Sequence, residues 1–102
     1  MLVRVIMTRQ VARRGKTLDT SLLPILSELL IELRSIAQRQ PGYISGETLR
    51  NVHTPEEYMV ISTWLSIEAW EKWFANPRRA DLEGRIDGLL GSSTSYKIYE
   101  YY

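Results

Sequence analysis

Residues 40–77 read QPGYISGETLRNVHTPEEYMVISTWLSIEAWEKWFANP, and the fold follows from this stretch. Pro41-Gly42 cannot continue a helix, so the helix before it ends near Gln40. Tyr43 to Arg50 reads as a strand, Asn51 to Glu57 as a polar hairpin connection, and Tyr58 to Leu65 as a second, stronger strand. The stronger strand carries Met59 and Ile61 on one face and Tyr58, Val60 and Trp64 on the other. A strand that is apolar on both faces needs cover on both. Ser66 then caps a short helix with Glu68 in its first turn. Trp70, Trp73 and Phe74 share one face of that helix at i, i+3 and i+4. Asn76-Pro77 breaks it and opens another, with Asn76 as cap and Pro77 at the first helical position.

Outward from this block, Leu2 to Thr8 reads as a strand with Val3, Val5 and Met7 on one face. Val11 to Lys16 is a basic loop. A long helix follows, capped by Asp19, Thr20 or Ser21, with Pro24 tolerable only in its first turn. Leu22, Leu26, Leu29, Leu33 and Ile36 recur at helical spacing, and Leu23, Ile25, Leu30 and Ile31 widen the stripe. So broad a stripe predicts a helix that packs on two neighbours. Downstream, Leu82, Ile86, Leu89 and Leu90 form a buried stripe, Gly91 to Ser95 a loop, and Tyr96 to Tyr102 a last strand.

The order is β-α-β-β-α-β with the second helical region split, an α+β, ferredoxin-like arrangement in one domain over residues 1–102. Four antiparallel strands then carry helices on one face only. The other face is apolar, and a second copy of the sheet is its simplest cover. The expected assembly is a homodimer through the sheet face, a dimeric α/β barrel.

Composition narrows the function. The chain has 102 residues and a net charge of +1, so nothing points to a nucleic-acid partner. Arg13-Arg14 and Arg78-Arg79, the two local basic pairs, read as solvated surface. There is no cysteine, which removes thiol catalysis and thiolate metal sites and fits a cytoplasmic setting. The single histidine, His53, lies in the polar hairpin, and the carboxylates show no metal-like spacing. The longest apolar run, within Leu22 to Leu33, is interrupted by Pro24, Glu28 and Glu32, too charged to span a membrane. Met1 runs straight into a strand-like stretch rather than a leader.

The segments QPGYISGE, YMVISTWLSIEAWEKWFANP and the C-terminal YKIYEYY together resemble the antibiotic biosynthesis monooxygenase superfamily over nearly the whole chain. The resemblance implies a dimeric α/β barrel and, in one branch, oxidation of electron-rich aromatic substrates with O2 and no cofactor. One enzyme of that branch uses a strand-three Trp, an Asn before it, and a Tyr and an Arg after it. Trp64 matches the Trp, Trp70 replaces the Tyr, Val60 replaces the Asn, and Arg85 lies near the Arg position. A haem-degrading branch uses a strand-one Asn, a helical Trp and a His. Here Trp73 matches the Trp, Met7 and Thr8 stand near the Asn, and Glu83 falls at the His.

Cofactor-free oxygenation asks for a dry apolar cleft, aromatic walls and one or two donors for developing negative charge. The resemblance thus implies Trp64, Trp70 and Arg85 as catalytic residues, with Trp73, Phe74 and Met7 lining the pocket. Tyr96, Tyr99 or Tyr101 are candidate proton donors, although a tyrosine-rich strand also suits sheet and dimer packing. Glu47 and Glu100 read as edge or rim residues. The alternatives are a dimeric module that binds a small ligand without turnover, and a haem-binding protein.

Overall fold

The computed structural model describes residues 1–10, 20–54, 57–91 and 94–102. The basic loop Val11 to Lys16, with Arg13-Arg14, the Asp19 cap and residues 55–56 and 92–93 lie outside the described residues. Strands β1 (Val3–Gln10), β2 (Tyr43–Arg50), β3 (Glu57–Trp64) and β4 (Ser95–Glu100) form one antiparallel sheet in the order β2-β3-β1-β4. Helices α1 (Leu23–Gln38), α2 (Ile67–Phe74) and α3 (Pro77–Leu90) complete the α+β, ferredoxin-like order read from the sequence.

Cross-strand register sorts the side chains into rows, because residues opposite one another share a face. On the helix side, Tyr43, Trp64 and Val3 form the first row. Gly46, Ser62, Val5 and Ile98 form the second, and Thr48, Val60, Met7 and Tyr96 the third. Arg50, Tyr58 and Arg9 form the fourth. A register shift between Tyr43 and Ser45 makes Ile44 an extra residue, so Tyr43 and Gly46 share a face although they are three positions apart.

The chain enters α1 through a 3-10 turn, Thr20–Leu22. The residue at the N-cap of α1 is Leu22, in helical conformation and with no side-chain cap. Pro24 sits in the first turn, where its missing N–H costs nothing. The predicted second neighbour of α1 is present. Leu26 and Leu29 pack with Leu82, Ile86 and Leu90 of α3, while Leu33 and Ile36 also touch a second cluster of Val3, Val5, Trp64, Trp70 and Trp73. The caps of α2 and α3 are those read from sequence: Ser66 accepts from the Ala69 N–H, and Asn76 from the Arg78 and Arg79 N–H groups.

Gly42 ties α1 to α2. Its φ is +86°, and a Cβ there would lie 2.5 Å from the Ala69 Cβ. Its carbonyl also accepts from the Leu65 N–H at 2.8 Å. Gly42→Ala combines left-handed strain with a clash against a helix, so a loss of about 2 kcal/mol is expected. A urea midpoint unchanged from wild type would contradict this account of the turn.

Candidate functional site

The two apolar clusters do not fill the space between the helices and the sheet. They leave a cavity of about 650 Å3, walled by residues from each of the four sheet rows, Val3 and Ile98 excepted, and by Leu30, Leu33, Arg34 and Ala37 of α1. One end is aromatic. Trp64, 1% exposed, meets Tyr43 edge-on at 5.4 Å and Trp70 at 5.8 Å, and its indole N–H donates to Ser62 Oγ at 3.0 Å. Trp70 and Trp73 close this end from α2.

The opposite end is charged. Arg9 is 2% exposed and is hydrogen-bonded to the Glu83 carboxylate of α3 through Nη2 and Oε2. Its Nη1 donates to the Tyr58 hydroxyl at 3.1 Å and its Nε to Thr94 Oγ1 at 3.1 Å. Thr94 in turn donates to Asp87 Oδ1 at 2.9 Å. Burial by itself would lower the Arg9 pKa, but Glu83 and Tyr58 together outweigh it, and the net shift is upward. Arg9 is a fixed cation.

Between the ends lies a second buried guanidinium. Arg79 donates through Nη1 to the Phe74 carbonyl at 3.2 Å and through Nη2 to the Tyr96 hydroxyl. It lies over the Phe74 ring at 4.4 Å and the Tyr96 ring at 5.1 Å. Burial pushes the Tyr96 phenol up to about 12, with Glu83 adding to the shift and Arg79 opposing it. Tyr96 therefore keeps its proton across the neutral range. Arg34 and Arg50 reach the cavity from α1 and the end of β2.

Of the residues singled out in the sequence, the structure brings Trp64, Trp70, Trp73, Met7 and Tyr96 to the cavity wall. Phe74 does not line it. It is 47% exposed and packs outside, against Trp70, Tyr96 and Arg79. Arg85 is elsewhere as well, with a side chain 64% exposed and paired to Asp81 at 3.3 Å. The reason is helical phase. Arg79, Glu83, Ile86 and Leu90 form the inward stripe of α3, and Arg85 is two residues from Glu83, roughly 200° around the helix. The expectation for Arg78-Arg79 also divides. Arg78 is a surface residue paired with Glu32, whereas Arg79 is buried. His53 and Glu47 are exposed, as are Glu100, Tyr99 and Tyr101.

Sequence reasoning does not single out Arg9, Tyr58, Arg79 and Glu83 as a site. Two signals for them exist in the sequence. The inward alternation Val3, Val5, Met7 continues to Arg9, in a strand that runs two residues past Thr8. Arg79 and Glu83 are in phase with Ile86 and Leu90. Among the described residues, no group of three His, Cys, Asp or Glu could hold a metal ion, and no helix is long and apolar enough to cross a membrane.

Comparison with known proteins adds a family and a set of structures. The profile described as antibiotic biosynthesis monooxygenase matches residues 25–82. No curated protein sequence matches the chain significantly. A conserved protein from Methanosarcina mazei Go1 superposes with a TM-score of 0.80 at 15% identity, covering 99% of this chain and 93% of its own. The cofactor-independent oxygenase SnoaB from Streptomyces nogalater gives 0.73 at 15% identity, covering 99% and 92%. A protein assigned as an antibiotic biosynthesis monooxygenase from Caulobacter crescentus CB15 gives 0.78 at 11% identity, covering 99% and 90%. At these identities the structural likeness is one of fold.

Proposed function

The chain belongs to the antibiotic biosynthesis monooxygenase family, and on that premise we propose that it is a homodimeric, cofactor-independent monooxygenase. It uses O2 to oxidise a small aromatic or quinol-like substrate held between sheet and helices. The observation that carries this reading is the cavity wall, with three tryptophans at one end and polar donors, the buried Arg79 and Arg9 and the half-buried Tyr96, further along. The likeness to a cofactor-independent oxygenase supports it at the level of fold.

The substrate supplies the electrons. Loss of a proton from an activated methylene carbon gives an electron-rich anion. One electron passes to O2, the two radicals combine as a carbon-bound peroxide, and the peroxide takes up a proton. Elimination of water then leaves a carbonyl. In sum, one methylene group and one O2 become one carbonyl group and one water. The protein has to bind, exclude water and hold charge. Trp64, Trp70 and Trp73 clamp the rings, and Met7 and Val60 complete the apolar wall. Glu83 takes and returns the proton through Oε1, since its Oε2 is held by Arg9. Tyr96, protonated and backed by Arg79, donates to the developing oxyanion. Arg79 and Arg9 fill the electrostatic role that the sequence suggested for Arg85.

The dimer rests on the other sheet face. Ile6, Met59 and Ile61 lie there with no described helix over them, and Tyr99 of the same face is 51% exposed. A second copy of this sheet would cover them. The cysteine-free composition is compatible with a cytoplasmic location.

The test is O2 uptake with anthrone, a carbon acid of this type, followed by product analysis. One carbonyl formed per O2 is expected, without added metal or flavin. Uptake no faster than the uncatalysed reaction would end the proposal. Tyr96→Phe is expected to lower kcat by about 100-fold with little loss of stability. Because the Tyr96 phenol is pushed up to about 12, no limb of the wild-type pH profile below about pH 11 should disappear in that variant.

A second reading, a dimer that binds a ligand without oxidising it, is favoured by one observation. Val60 lines the cavity where one enzyme of the cofactor-free branch carries an Asn. It predicts binding without O2 uptake. Haem fits poorly. The residue at the branch's axial position, Glu83, is held by Arg9, and the single histidine is exposed on the β2–β3 turn.

A further inference from the structure

We propose that Ser62 and Tyr43 orient the substrate: their hydroxyls form a donor pair for a neutral carbonyl oxygen on its ring system. Trp64 is the positioning residue behind Ser62. This rests on the reading of the cavity as a substrate pocket and names the groups that fix how a ring system sits in it.

Ser62 stands on the inner face of β3, in the row of Gly46 and Val5, and lines the cavity half-buried. Its Oγ accepts from the Trp64 indole N–H at 3.0 Å. A hydroxyl has one hydrogen to donate, and that of Ser62 meets no acceptor among the described residues. A donor left over in an apolar wall is stabilised by an acceptor that a ligand brings. The bond from the indole also polarises the Ser62 hydroxyl and makes it a stronger donor. Trp64 cannot take this role itself. It is 1% exposed, and its single N–H is already committed to Ser62.

Tyr43 brings the second hydroxyl. The extra residue at Ile44 puts Tyr43 and Gly46 on one face. A Cβ on Gly46 would stand 2.6 Å from Tyr43 Oη, so the hydroxyl lies over Gly46, which is opposite Ser62 in the register. Side chains opposite one another on neighbouring strands start about 4.5–5.5 Å apart, within reach of one shared atom. Tyr43 Oη has no hydrogen-bond partner among the described residues, and its ring is held edge-on by Trp64 at 5.4 Å. A carbonyl oxygen has two lone pairs and accepts two such donors at once. The row of Gly46, Ser62, Val5 and Ile98 contains no charged residue, so the pair suits a neutral oxygen. With that oxygen held, the rings run beside Val5, Met7 and Val60, toward the next row, where Tyr96 stands.

The probes are fluorenone and fluorene, planar tricyclic molecules that differ by a carbonyl against a methylene. All three tryptophans line the cavity, so intrinsic fluorescence reports on occupancy. Infrared difference spectra of isotope-labelled fluorenone report on hydrogen bonding at its carbonyl. Fluorenone is expected to bind about tenfold more tightly than fluorene, with its carbonyl stretch lowered from the value in a hydrocarbon solvent. In the Ser62→Ala/Tyr43→Phe double variant both the preference and the lowered stretch should disappear, while fluorene binds as it does to the wild type. Gly46→Ala keeps both hydroxyls but displaces that of Tyr43, and should return the stretch as far as Tyr43→Phe alone does. Equal binding of the two probes to the wild type, with an unshifted stretch, overturns the donor pair and leaves the pocket standing. A lowered stretch that survives in the double variant overturns the assignment to Ser62 and Tyr43. Loss of fluorene binding in that variant would show that the two residues shape the cavity rather than donate, and would overturn it too. Binding of neither probe to the wild type overturns both this inference and the functional reading beneath it.

Discussion

Arg9→Met is expected to destabilise the protein by about 3–5 kcal/mol, because it leaves the Glu83 carboxylate buried without its partner. The Arg9 side chain is 1% exposed and that of Glu83 10%, so both charges are largely withdrawn from bulk water. Arg9 also joins three elements through Tyr58 of β3, Thr94 beside β4 and Glu83 of α3, so their polar groups lose a donor together. At about 4–8 °C per kcal/mol for a domain of this size, the melting temperature should fall by roughly 12–40 °C. The double variant Arg9→Met/Glu83→Leu removes both charges and should recover most of that loss. Two equally damaged proteins, or an undamaged single variant, would show that the pair is not the source of the stability. The recovered double variant should nonetheless be inactive under the functional reading above, since it lacks the proton acceptor.

Trp64→Ala is expected to cost about 3–5 kcal/mol as well, for a different reason. The indole sits at the junction of β1, β3 and α2, packed edge-on between Tyr43 and Trp70, and its loss would enlarge the adjoining cavity. For a domain whose whole stability is on the order of 5–15 kcal/mol, this variant should be partly unfolded at 37 °C. Trp64→Phe separates packing from function. It keeps an aromatic wall, loses the bond to Ser62 and should remain folded, with a weaker hold on substrate appearing as a raised KM. If Trp64→Phe oxidised anthrone with wild-type kcat and KM, Trp64 would be core alone and its assignment to the substrate site would fail.

These two variants mark different degrees of legibility. Trp64 can be read from the chain, because an inward strand residue followed by a capped helix with Trp70 and Trp73 in phase has one economical packing. Arg9 cannot be read so directly. Its neighbour Gln10 and the basic stretch after it look like the end of a strand, and the local pattern stops the strand at Thr8. A buried arginine makes sense only once its counter-charge is known, and Glu83 is 74 residues away. Arg79 and Arg85 show the same limit on one helix. Similarity to a relative's arginine points to Arg85, while the phase of Leu82, Ile86 and Leu90 places Arg79 and Glu83 on the inner side.

Local chemistry in the sequence was sufficient for the element order, the two helix breaks, the caps Ser66 and Asn76 and the inward faces of β1 and β3. Each of these depends on contacts within a few residues, where periodicity and capping act. Only the tertiary structure decided that an extra residue at Ile44 turns Gly46, Thr48 and Arg50 to the same side as Tyr43. It also decided that Arg9 meets Glu83, and that the helices stand off the sheet far enough to leave a cavity. A bulge, a buried ion pair and a void are each set by how separate elements meet, and the free energy that fixes them resides in those long-range contacts rather than in any one segment.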